Sequence, residues 1–108
     1  MTDIPMPTLR KPPDVTLQKS HGTGGSSEYR VTYATAVTAL SLGNLLRGYA
    51  EQVQNAGWNA YPATIGDFGA VQSFEMPDSH GHHWRGLLAV VDSGADRAVL
   101  FRVHPAVP

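Results

Sequence analysis

The stretch Leu40 to Trp58, LSLGNLLRGYAEQVQNAGW, constrains this chain more than any other, because it reads as the only substantial helix. Leu42, Leu45, Leu46, Tyr49, Ala50, Val53 and Ala56 recur at the spacing that lines one side of a 3.6-residue helix. Asn44, Arg47, Glu51, Gln54 and Asn55 fall on the other side. Ser41 is suited to the N-cap, where its hydroxyl accepts from a free N–H of the first turn. Leu40 and Leu45 then stand at the two positions of a hydrophobic staple. At the far end Gly57 can take the left-handed conformation that stops a helix, with Trp58 packing back on Val53. Gly43 and Gly48 each cost about 1 kcal/mol against alanine in a helix interior. They are either tolerated weakness or places where another backbone comes close. Such a stripe cannot bury itself, so the helix needs a sheet or a partner.

The strand signals flank it. Val15 to Lys19 is a short candidate with Val15 and Leu17 on one face, and HGTGGSS (residues 21–27) reads as a loop. That loop lacks the glycine and lysine spacing of a phosphate cradle and precedes a strand rather than a helix. Glu28 to Thr35 alternates, with Tyr29, Val31 and Tyr33 assigned to the core and Glu28, Arg30 and Thr32 to the outside. Residues 59–67 read as a connection, with Tyr61 and Ile65 contributing to the core. Phe68 to Met76, His82 to Asp92 and Arg97 to His104 complete the set, separated by the turn sequences PDSHG and SGAD. The second half of His82 to Asp92 is apolar on both sides, which marks a central strand.

The expected fold is α+β: an antiparallel sheet of about five strands in the order β-β-α-β-β-β, with the long helix packed across one face. The expected organisation is a proline-rich extended arm over 1–14, one domain over 15–104 and a tail over 105–108. With 108 residues the chain holds one core.

Composition removes several function classes. Net charge is −1 and Lys11 and Lys19 are the only lysines, so the basic footprint of a nucleic-acid binder is missing. No cysteine is present, which excludes disulfides, thiolate metal sites and cysteine nucleophiles. No run approaches the roughly 20 apolar residues of a membrane span. The first residues lack the apolar core of a signal peptide. The chain as written is therefore expected in the cytoplasm, or in the envelope if it is a processed or excised domain.

The proline-rich lead-in, the glycine loop, LLRGYAEQVQNAGW, HWRGLLAVV and RAVLFRV together resemble a small α+β domain of uncharacterised bacterial proteins. In that domain a helix ending in AGW precedes a WRG strand and a closing strand. The resemblance covers roughly residues 12 to 104. It implies the fold and an envelope or lipoprotein setting, and it implies no activity.

Three groups of residues are candidates for function. His80, His82 and His83 lie within HGHH at a turn, and imidazole is the commonest nitrogen ligand of zinc, copper and nickel. A solvated polar turn is the simpler reading, since a structural zinc wants four ligands. Arg30, Arg85, Arg102 and His104, with Thr32 and Gln72, are expected on the outer sheet face, where paired arginines can recognise an anion. An ordinary solvated surface is the alternative. Leu87, Ala89, Val91 and Leu100 are expected to form an apolar patch opposite the helix that wants covering. Trp58, Trp84, Tyr61 and Phe68 read as core and staple residues, or else as the lining of a pocket at the helix end. No catalytic motif stands out and no cofactor is expected. The reading is a non-enzymatic interaction or accessory-subunit module, binding a protein partner or a second copy through the face opposite the helix. The alternative is a small-ligand or metal-binding domain using the histidine turn or the arginine face.

Overall fold

The computed structural model describes residues 6–17, 22–25, 29–77, 83–94 and 96–105. Among them are one helix, α1 (Leu42–Asn55), and eight strands: β1 (Val15–Leu17), β2 (Gly22–Gly25), β3 (Arg30–Thr38), β4 (Asn59–Ala60), β5 (Thr64–Ile65), β6 (Gly69–Pro77), β7 (His83–Ser93) and β8 (Asp96–Pro105). They form one antiparallel sheet in the order β1-β3-β8-β7-β6-β4, with β2 also paired to β3 and β5 to β6.

The expected five-stranded β-β-α-β-β-β order is therefore wrong. The additional strands lie at the two edges, and each edge is one broken line. β1 and β2 follow one another along β3, with Leu17 opposite Ala36 and then Gly22 opposite Tyr33. β4 and β5 follow one another along β6, with Ala60 opposite Phe74 and then Thr64 opposite Val71. Pieces of 2 to 4 residues are too short to show a period of two, which is why the Gly22–Gly25 segment and residues 59–65 read as loop and connection. Glycine suits β2 for a local reason. Gly25 has φ +146, and a Cβ there would meet the Tyr29 carbonyl oxygen.

The helix behaves as its sequence requires. Ser41 Oγ accepts from the Asn44 N–H at 3.2 Å. At the other end Gly57 has φ +102, the Trp58 N–H donates to Val53 O and the Gly57 N–H to Gln54 O. That pair of bonds satisfies two orphan carbonyls of the last turn. α1 carries the chain from β3 to the opposite edge at β4, lying across β7 and β6 on the way. Its buried side chains Leu45, Leu46, Tyr49 and Val53 meet Phe74, Leu88, Val90, Phe101 and Val103 from the sheet. Phe101 is central, edge-on to Trp58 at 5.7 Å and to Phe74 at 5.9 Å between ring centres. Gly86 makes room for it, since a Cβ at that position would stand 2.5 Å from Phe101 Cζ.

Two assignments change. Tyr29, Val31 and Tyr33 were expected under the helix, but Val31 pairs with Arg102 and Tyr33 with Leu100, on the opposite face. Ala34 and Ala36 point toward the helix instead, beside Val99 and Leu17. The cause is that alternation gives a period without a sign. Tyr61 and Ile65 were expected in the core and are exposed, as is Phe68, whereas Trp58 and Trp84 are buried.

The arm lies on the helix. The Gln52 side-chain amide both accepts from the Arg10 N–H at 2.6 Å and donates to Arg10 O at 2.7 Å. Met6 and Leu9 pack against the core. Gly48 is where the arm crosses, for a Cβ there would lie 2.8 Å from Pro12 Cγ. Gly43 instead faces the Ile65 side chain.

Candidate functional site

The helix, the arm and the sheet make three layers on one side. The far side of the sheet has no layer of its own among the described residues. Cross-strand register sorts its side chains into rows. The first runs Asn59, Glu75, Arg85, His104, and the second Ser73, Leu87, Arg102, Val31. The third runs Val71, Ala89, Leu100, Tyr33, and the fourth Gly69, Val91, Ala98, Thr35. Leu87, Ala89, Val91 and Leu100 thus lie side by side on this face. Tyr33, Val71, Leu87 and Val91 keep between 37% and 48% of their surface in solvent. The third and fourth rows carry no charge.

The arginine group is only partly assembled. Arg85, Arg102 and His104 share the first two rows, and the Arg102 guanidinium stands 4.8 Å from the centre of the Tyr29 ring. Arg30 does not join them. It pairs with Val103, on the helix side of the sheet, so its place in the group is withdrawn. Thr32 and Gln72 are also on the helix side, opposite Phe101 and Leu88. Their polar ends reach backbone: Thr32 Oγ1 donates to Gly22 O, and Gln72 Nε2 to Tyr61 O. His104 Nδ1 is buried and has no hydrogen-bond partner among the described residues.

Beside the arginines lies a hydrogen-bonded chain absent from the sequence reading. The Tyr61 hydroxyl donates to Glu75 Oε2 at 2.6 Å, and His83 Nδ1 lies 3.2 Å from Glu75 Oε1. The phenol's hydrogen bond, helped by His83 and Arg85, holds the Glu75 carboxyl below its ordinary value. The same bond raises the Tyr61 phenol. Cross-strand pairing of Glu75 with Arg85 was the available signal, but it becomes visible only once the β6–β7 register is known.

Of the three histidines proposed for a metal, His80 and His82 lie outside the described residues. His83 opens β7 and faces Glu75. Among the described residues no three His, Asp or Glu side chains are grouped to hold a metal ion. No described helix is long and apolar enough to cross a membrane.

A cavity of about 150 Å³ opens between the arm, β3 and the helix, lined by Leu9, Leu17, Thr32, Ala34, Tyr49 and Phe101 among others. Burial raises the Tyr49 phenol above its usual value, so at neutral pH it is a hydrogen-bond donor and not a base.

No family model, characterised protein or solved structure matches this chain. The likeness carried by the AGW and WRG segments rests on those residues alone.

Proposed function

We propose that this protein is a non-enzymatic interaction module whose working surface is the sheet face opposite the helix. One observation supports the reading above the others: two adjoining cross-strand rows without a charge, containing Val71, Ala89, Leu100, Tyr33 and Val91, with Leu87 bordering them. Contiguous exposed apolar surface of this kind marks contact sites more often than free surface.

A photo-crosslinking side chain at Val91 in the full chain, expressed in its own cells, tests the proposal. The control is the same group at Glu51 on the exposed side of α1. A defined adduct from position 91 and none from position 51 is expected. Equal labelling, or none at 91, sinks the reading.

A second reading uses the corner of the same face, as a site for a small anion. It is favoured by Arg85 and Arg102 lying diagonally across β7 and β8, neither of them in an ion pair with a described residue. Paired guanidinium groups suit phosphate or carboxylate. Arginine side-chain resonances that stay fixed through a millimolar titration with inorganic phosphate would remove it.

A further inference from the structure

Charge along the far face is polarised in the strand direction. At one end stand Arg85, Arg102 and His104, in the first two rows. The acid of that end, Glu75, is engaged by Tyr61 and His83. At the other end Asp96 opens β8 opposite Ser93. The Asp96 carboxylate makes no ion pair with a described residue, whereas the nearby Arg97 is taken by Asp92 at 2.8 Å on the helix side. Between the ends lie the uncharged rows. The far face therefore presents a cationic end, apolar middle rows and a single carboxylate, Asp96, at the opposite end of β8.

We infer that the occupant of this face is a second copy of the chain, stacked sheet to sheet with its strands reversed. The inference rests on the proposal that the face is a contact surface, and names its partner. A two-fold axis lying between two sheets and perpendicular to their strands turns each copy end for end. The level of residue 99 on β8 is midway between Arg102 and Asp96, which stand roughly 20 Å apart at about 3.4 Å per residue. An axis at that level sets Arg102 of each copy over Asp96 of the other, twice in one isologous contact. It also stacks the Ala89–Leu100 row near the middle, where alanines at 89 and 98 let the sheets approach to the usual spacing of about 10 Å. The other two-fold, parallel to the strands, superposes arginine on arginine and aspartate on aspartate, and like charges disfavour it. A surface whose charge pattern is complementary to its own reverse is fitted to itself.

The experiment is sedimentation velocity on the purified full chain across roughly 1 to 300 µM, a range in which a modest interface declares itself. The wild type is expected to show a concentration-dependent dimer. Arg102→Asp and Asp96→Arg, made singly, should each weaken it at least about tenfold, and the two together should restore it. The Asp96 side chain is free to change, since the Ser93 hydroxyl bonds its backbone carbonyl. Circular dichroism identical to wild type shows that the variants fold. If a variant fails to fold, the salt dependence of the wild-type dimer takes its place: a dissociation constant unchanged by raised salt overturns the inference. A monomer at every concentration overturns it too, as does a dimer indifferent to either single change or a double variant that stays monomeric. The two proposals fail separately. A crosslink from Val91 to a foreign protein, with no dimer in solution, ends this inference and leaves the contact face standing.

Discussion

Leu87 and Leu88 are neighbours on β7, yet Leu88 is completely buried under α1 while Leu87 keeps 37% of its surface exposed. The pair contrasts the two sides of the sheet in the smallest possible unit. On the helix side most large apolar groups are packed in one core, with Ile65 at its rim exposed, and none of the buried described residues is polar or charged. On the far side similar side chains stand in ordered rows with no second layer among the described residues. What separates the sides is therefore the presence of a cover and not hydrophobicity. The difference puts the packed core of the described residues on one face of the sheet and leaves apolar side chains of the other exposed.

The largest test of this contrast is truncation at the two leucines. Leu88→Ala should cost about 2–5 kcal/mol in denaturant unfolding, the range for emptying a packed core site. Leu87→Ala should cost under about 1 kcal/mol at micromolar protein, as surface changes do. Similar losses at both positions would mean that the far face is already packed in the monomer.

The second test concerns how the helix side acquired its third layer. Gly48→Ala removes a helix-breaking residue, which on propensity alone should gain up to about 1 kcal/mol. Here the new methyl would stand 2.8 Å from Pro12 Cγ. We expect a net loss of about 1–3 kcal/mol, the usual cost of overpacking. Faster proteolysis within residues 6–12 should accompany it as the arm lifts from Gln52. Gly43→Ala is the internal control. Its methyl meets only the flexible end of the exposed Ile65, so a small gain is expected. If both glycines respond alike, the arm does not hold the helix.

Gly48 also shows how far the sequence could be read. The stripe, the Ser41 cap and the Gly57–Trp58 stop were legible because each rests on residues a few positions apart. Gly48 left two readings open, and the arm decided between them, because a contact between residues 12 and 48 leaves no local trace. The facing of the long strands β6, β7 and β8 was legible except at Gln72, expected outside and found on the helix side, because their buried sides carry the larger apolar groups. β3 was assigned backwards for the same reason. Its bulkier residues, Val31 and Tyr33, lie on the exposed face, and small Ala34 and Ala36 lie under Leu17 and the arm. That error moved Arg30 and Thr32 to the wrong side and split the expected arginine group. The apolar patch survived, since it depends only on β7 and β8. The short edge strands β2, β4 and β5 carried no period to read, whereas β1 was legible from Val15 and Leu17.

The smallest expected effect lies in the row that begins at Asn59, where the far face has interactions of its own. Glu75 accepts from Tyr61 and faces His83, and its carboxyl titrates below the ordinary carboxylate range. A folded value below the unfolded one means that the group stabilises the fold fully above the unfolded value. That contribution is lost as pH falls through the folded value. Tyr61 has the opposite sign: its raised phenol contributes below the unfolded value and loses that contribution as pH rises through the folded one. Tyr61→Phe deletes the first cause of the Glu75 shift. The Glu75 carboxyl midpoint, followed by carbon NMR, should then move up toward the ordinary value, and the acid-side loss of stability linked to this group should become smaller and be complete at a higher pH. Glu75→Gln should remove this part of the pH dependence. A midpoint unmoved by Tyr61→Phe would mean that the phenol is not bonded to Glu75 in solution. On the helix side the charged contact is the Asp92–Arg97 pair at 2.8 Å, whereas none of the buried described residues of the core is charged. Sensitivity of stability to pH in the carboxylate range is thus a property by which the first row of the far face can be told apart from the core beneath it.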